Sequence, residues 1–292
     1  MTLSIVTSFN RAIWNNHGKT CISSWLEHIK GDYSFHLYID GPIPSDLPKG
    51  DNVHIHWLDT EPEYTRFLTE TRDITPNPNI PPEHKFRFEF RRFWPKVRSI
   101  YDAALAQHRS LTLPSPDGGS AIHANAISVT GPILWLDADI LFKKDISVDR
   151  ILEDLKDNQT VVCLDRGHPW NYMDSGYLLF DPTFLDAFQF IESLYNIYTT
   201  KTLFRFTEWH DAFLMSQVMN ILWGNDKDSY VKSLSGLSSG LHPLDDSWLR
   251  DYMVHLKGGL KHGVTQSFEG QEHEKNVATQ ALPVDIPRRT DV

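Results

Sequence analysis

Ile133-Leu134-Trp135-Leu136-Asp137-Ala138-Asp139-Ile140-Leu141-Phe142 is the stretch whose reading decides the fold. An apolar run this short, closed by two carboxylates one residue apart and reopened by apolar residues, reads as a buried strand that delivers acid groups to a sheet edge. In an ideal strand residues i and i+2 share a face, so Asp137 and Asp139 converge on one cation. Without a positive partner two such carboxylates repel, and one takes up a proton. Their oxygens suit Mg2+ or Mn2+ better than a soft metal. Asp-x-Asp is short enough to arise by chance, and solvated loop acids are its commoner meaning. The apolar run in front of it, and a second stretch far along the chain, favour a metal site.

That second stretch is His255-Leu256-Lys257-Gly258-Gly259-Leu260-Lys261. A neutral imidazole can complete the coordination of a metal held by two carboxylates, and a lysine ammonium is a point charge suited to phosphate oxygens. Glycine between them lets the backbone approach a ligand closely. Alone, this stretch is most simply a basic turn carrying an exposed histidine. Together the two stretches describe a metal-bridged diphosphate.

These residues resemble those of nucleotide-sugar-dependent glycosyltransferases of the GT-A fold, closest in pattern to the retaining family of glycogenin and the bacterial lipopolysaccharide galactosyltransferases. In that family an apolar strand ends in Asp-x-Asp, and a late His-x-x-Gly-x-x-Lys returns to the metal and the diphosphate. His255, Gly258 and Lys261 stand at that spacing. Asp174-Ser175-Gly176-Tyr177-Leu178-Leu179-Phe180-Asp181 resembles the family's small-residue strand, and Glu208-Trp209-His210-Asp211-Ala212-Phe213 resembles its acid at a helix start. After Lys261 the family commonly continues Pro-Trp, where this chain has His262-Gly263.

The resemblance implies an α/β fold with a mixed, mostly parallel central sheet flanked by helices. It implies a GT-A domain over residues 1–264 and a C-terminal tail over 265–292. It further implies a metal, Mn2+ or Mg2+, on Asp137, Asp139 and His255. The donor would be a nucleoside-diphosphate sugar, UDP-sugar first among them, held by Asp137, Lys257, Gly258 and Lys261.

Composition narrows the class. A chain of 292 residues can bury a large core in one domain. The formal charge of −10 argues against broad binding to nucleic acid or to an anionic membrane surface. Aromatic content of 12%, with nine Trp, is high enough to offer stacking faces for sugars, although core packing accounts for many of them. Cys21 and Cys163 are too few and too far apart for a disulfide framework and are expected reduced in the interior. With no signal-like segment and no apolar run long enough for a bilayer, a cytoplasmic enzyme is expected.

Along the chain, a strand over 3–8, a helix over 18–29 and a strand over 35–39 form a β-α-β opening. In open α/β sheets ligands gather beyond the carboxyl ends of the strands, which places Thr7, Ser8, Phe9 and Asn10 where a nucleotide base rests. A plain strand-to-helix loop explains any one of them nearly as well. A further strand is expected over 53–58. The Pro-, Thr- and Asn-rich stretch 61–82 reads as a loop. Basic and aromatic residues then interleave from Lys85 to Arg98. Lys85, Arg87 and Arg91 read as a solvated helix face, whereas Arg92 and Lys96, four apart on one face, are taken as a clamp on the donor diphosphate, as the resemblance to GT-A enzymes implies.

Leu111 to Ala126 reads as a surface loop, 145–155 as a short helix, 160–164 as a strand and Asp165 to Asn171 as a polar loop, suited to sugar hydroxyls but explained equally well by ordinary turn chemistry. Asp174 reads as an acceptor for donor-sugar hydroxyls or, equally, as a strand-start acid. A helix over 184–198 is packing. At the next helix start, Glu208 has the helix dipole as its explanation. Asp211 is taken instead as the acid beside the transferred sugar, as the resemblance implies. Ser233 to Gly240 reads as a small-residue loop, which the resemblance implies is a lid over the donor, and His242 to Asp246 as a turn.

The function expected is transfer of a sugar to a hydroxyl of a glycan or small molecule, with retention. A modified nucleic-acid base is the less favoured acceptor, given the acidic total. A sugar nucleotidyltransferase is the alternative from another class, but Thr7 to Lys19 lacks the Gly-rich basic loop a triphosphate would need.

Overall fold

The computed structural model describes residues 2–112, 129, 131–155, 159–166, 172–236 and 241–256. The strands of three or more residues are β1 (Leu3–Asn10), β2 (Tyr33–Asp40), β3 (Val53–Trp57), β4 (Ile133–Leu136), β5 (Ile140–Phe142), β6 (Val161–Asp165), β7 (Met173–Phe180), β8 (Val231–Ser233) and β9 (Met253–His255). The longer helices are α1 (Lys19–His28), α2 (Pro62–Glu70), α3 (Phe90–Thr112), α4 (Leu185–Thr199) and α5 (Asp211–Trp223).

Seven strands form one sheet in the order β8-β6-β7-β4-β1-β2-β3, and β5 pairs with β9 in a separate two-stranded ribbon. β1 runs parallel to β2 and β4, β2 to β3, and β6 to β8, while β7 is antiparallel to both of its neighbours. The expected mixed, mostly parallel sheet flanked by helices is therefore the observed architecture. The central strands are buried on both faces because helices cover both, which is why they read as continuous apolar runs.

Alternation along the strands sorts the core into two clusters. Val6, Tyr38, Trp135, Leu178 and Phe180 pack with residues of α2, α3, α4 and α5. Ile5, Leu37, Leu134, Leu136 and Leu179 pack with Ile22 and Trp25 of α1 on the other face. Trp25 also donates its indole N–H to the Ile140 carbonyl at 2.6 Å, tying α1 to β5.

Two expectations need correction. Residues 61–82 are not all loop: Pro62 occupies the start of α2, where its missing N–H costs nothing, and Tyr64 and Phe67 are buried at helical spacing. The Asp-x-Asp segment is not part of one strand either. Asp137 to Asp139 form a turn between β4 and β5, closed by the Ile140 N–H donating to the Asp137 carbonyl at 3.0 Å.

Cys21 and Cys163 are buried free thiols, as expected. Among the described residues, no helix is long and apolar enough to cross a membrane. The tail and the boundary at 264 lie outside the described residues.

Candidate active site

The parallel strands β1, β2 and β4 end at one edge of the sheet, in register: Asn10 lies beside Asp40, and Val6 beside Trp135. Because β7 runs the other way, its first residues reach the same edge. The Asp137 N–H donates to the Gly176 carbonyl at 2.9 Å, continuing the β4–β7 pairing into the turn. The antiparallel ribbon sets His255 opposite Ile140, and the Leu256 N–H donates to the Asp139 carbonyl at 2.8 Å. Residues more than a hundred positions apart are thus brought together by backbone pairing.

Asp137, Asp139 and His255 each offer one ligand atom, and these atoms all lie within 4.8 Å of one another. The His255 Nε2 is 2.8 Å from Asp139 Oδ1. Convergence comes from the turn and the ribbon rather than from strand alternation. Two carboxylates and an imidazole are a donor set suited to Mn2+ or Mg2+, so these residues fit the metal expected from the sequence.

Lys96, on α3, reaches under this set. Its ammonium lies 2.7 Å from Asp137 Oδ1 and 2.6 Å from Asp211 Oδ2, and donates to the Ser175 carbonyl and hydroxyl at 3.0 Å each. Ser175 in turn donates to Asp211 at 2.7 Å, and the Trp135 indole N–H donates to Asp137 Oδ1 at 2.9 Å. Burial disfavours the charged lysine, but the two carboxylates outweigh it and raise its pKa. Burial also opposes ionisation of Asp211, yet Lys96, His210 and Ser175 together hold its pKa below the ordinary carboxylate value. Asp137 is shifted the other way: burial, with Asp139 and Asp211 nearby, raises its pKa against the pull of Lys96 and His255. An added cation at this point relieves that repulsion.

A cavity of about 550 Å³ opens beside these groups. It is lined by Ser8, Phe9, Asn10 and Asp40 at the strand ends, by Arg92 and Lys96 of α3, and by Trp135, Asp137 and Asp139. Phe9 is backed by Trp14, ring centroids 5.1 Å apart. Arg92 is exposed on the wall, with Glu89 at 3.3 Å.

Several expected site residues stand elsewhere. Thr7 is fully buried within β1, on the face it shares with Ile5 and Phe9, and is not among the described residues lining the cavity. Asn10 lines the cavity, but its side-chain oxygen also accepts from the Ile13 N–H at 3.0 Å as a helix cap. Asp174 and Asp211 are buried and are not among the described lining residues either. The Asp211 carboxylate is taken up by Lys96 and Ser175. Lys257, Gly258 and Lys261 lie outside the described residues, as does the end of the expected lid.

The basic face expected on Arg87 and Arg91 is likewise not a solvated one. Arg87 pairs with Glu208 at 3.0 Å, and Arg91 donates to the carbonyls of Thr71 and Ile74.

Sequence reasoning missed His242 and Arg166, both of which meet Asp174. No local pattern marks them: one stands in a Pro-containing turn, the other at a strand end.

No family model matches the chain, and no curated protein matches its sequence. Solved structures similar to it include the apo form of mouse xyloside xylosyltransferase 1, with a TM-score of 0.44 and 11% identity over 80% of this chain and 86% of that one. The apo WbbM bifunctional glycosyltransferase has a TM-score of 0.43 and 12% identity over 80% of this chain, which spans 38% of that protein. At these scores neither likeness bears on what this chain does.

Proposed function

We propose that the chain is a metal-dependent glycosyltransferase. It would move a sugar from a nucleoside-diphosphate sugar, UDP-sugar in the simplest case, to a hydroxyl of a glycan or small molecule, with retention. The observation that carries this reading is the meeting of Asp137, Asp139 and His255 at the wall of a cavity bounded by strand ends and by the cationic face of α3. Its volume of about 550 Å³ suits a small-molecule ligand.

Asp137, Asp139 and His255 would hold Mn2+ or Mg2+, which when bound supplies Lewis-acid stabilisation of charge developing on the departing diphosphate. Lys96 neutralises part of the acid charge and fixes Asp137 in place, so the donor set is preorganised. Arg92 presents a guanidinium to phosphate oxygens. Phe9 offers an apolar wall to the nucleoside. Lys257, Gly258 and Lys261 complete the proposal as diphosphate-binding residues. Asp211, held ionised, anchors Lys96 and acts on the reaction through it.

A nucleic-acid acceptor gains nothing from the structure, since Arg87 and Arg91 are engaged within the fold. Titration calorimetry with UDP, GDP and dTDP tests the reading. One nucleoside diphosphate is expected to bind in the presence of Mn2+, and to be lost in chelator and in Asp139→Ala. Binding of equal strength in chelator would remove the metal from the account.

A further inference from the structure

His255 faces two carboxylates with its two ring nitrogens. Nε2 is 2.8 Å from Asp139 Oδ1, and Nδ1 is 3.9 Å from Asp174 Oδ1. The residue is only 8% exposed, and its buried Nδ1 makes no hydrogen bond among the described residues.

Asp174 is itself held from several directions. The Gly176 N–H donates to Oδ1 at 2.9 Å, Arg166 Nη2 donates to Oδ2, and His242 Nε2 lies 3.1 Å from Oδ2. The tautomer of His242 follows from its other nitrogen. The Leu244 N–H donates to His242 Nδ1 at 3.3 Å, so in the neutral ring the proton sits on Nε2, facing Asp174. The rings of His242 and His255 stand edge to face, with centroids 5.2 Å apart and planes at 88°.

We propose that Asp174, fixed by His242 and Arg166, is a positioning residue that holds the ring proton of His255 on Nδ1 and so leaves the Nε2 lone pair for the cation shared with Asp137 and Asp139. A metal-bound imidazole needs its free nitrogen to be the donor, and a carboxylate there fixes both tautomer and ring orientation. Asp174 is the carboxylate facing that nitrogen, and closing 3.9 Å to a hydrogen bond takes a ring movement of about 1 Å. This replaces the expected role of Asp174 as a sugar-hydroxyl acceptor. It rests on the metal site proposed above, with the difference that it concerns the second layer around that site.

The test uses the full chain without donor. Mn2+ affinity is measured by electron paramagnetic resonance, and the His255 tautomer by 15N NMR of the Mg2+-loaded, histidine-labelled protein. Wild type is expected to show the Nδ1–H tautomer. Asp174→Asn is expected to bind Mn2+ about 10-fold more weakly and to show mixed tautomers. His242→Gln should shift both readouts in the same direction, and it decides the matter if Asp174→Asn does not fold. An Asp174→Asn protein with unchanged Mn2+ affinity and an intact Nδ1–H tautomer overturns the inference while leaving the metal site standing. Failure of wild type to bind Mn2+, or full affinity in Asp139→Ala, overturns the metal site and the inference with it.

Discussion

A Cβ built on Gly176 would lie 2.9 Å from Asp174 Oδ1 and 2.9 Å from His255 Cε1. Neither neighbour can yield cheaply: one is a carboxylate oxygen held by a backbone N–H, the other the body of a buried ring. Glycine here is therefore required by close approach. Gly176→Ala is expected to fold but to push His255 away from Asp139, weakening Mn2+ binding about 10-fold or more. Paramagnetic resonance titration of that variant checks it, and wild-type affinity would mean that the ring has room the structure does not show. At the same scale Asp137 and Asp139 were legible because two acids interrupt an apolar run and a second stretch, at His255, supplies a further ligand type. His242 was not legible, since its meaning lies in Asp174, 68 positions earlier and on another element.

Among the elements, α3 does most to assemble the site, because Lys96 joins it to the Asp137 turn, to β7 through Ser175 and to α5 through Asp211. Removing one member of such a buried set leaves the others uncompensated. Lys96→Met is thus expected to lower stability by about 3 kcal/mol or more in urea unfolding, beyond any effect on turnover. A loss within about 0.5 kcal/mol would place the ammonium in solvent instead. Strands and helices with clean periodicity, such as β1, β2 and α4, were readable from sequence alone. Helix α2 was not, because Pro62 reads as a breaker unless it is known to stand at a helix start. The turn at 137–139 was read as strand, since Ile140 to Phe142 resumes the apolar pattern and nothing local shows that it pairs with β9.

Across the whole molecule, the sheet edge near β3 carries a second titratable cluster, remote in role from the site. His36 is buried, with Nδ1 at 3.2 Å from His56 Nε2 and its ring stacked on those of His54 and His56. Burial first, then the neighbouring histidines, lowers its pKa from 6.5 to about 3. Burial and His54 lower that of His56 to about 4. Both folded values lie below the unfolded one, so the unfolded chain takes up protons first. Stability from these groups is complete above pH 6.5 and is lost as pH falls towards about 4 and then about 3. At pH 5 the penalty on His36 alone is about 2 kcal/mol. Asp102 works in the opposite sense, because burial, against the pull of Arg98, raises its pKa to about 7. Comparison with His36→Gln isolates the histidine: the stability advantage of wild type should shrink by about 2 kcal/mol between pH 7 and pH 5. A constant difference over that range would mean His36 is solvated.

The central claim concerns the donor, and release of nucleoside diphosphate tests it most directly. Wild type and Asp139→Ala would each be incubated with UDP-, GDP- and dTDP-sugars, with a range of hydroxyl acceptors, in Mn2+ and in excess chelator. The account predicts that one donor is turned over by wild type with Mn2+, and that turnover vanishes in chelator and in the variant. Release at the wild-type rate from Asp139→Ala, or in chelator, would contradict it.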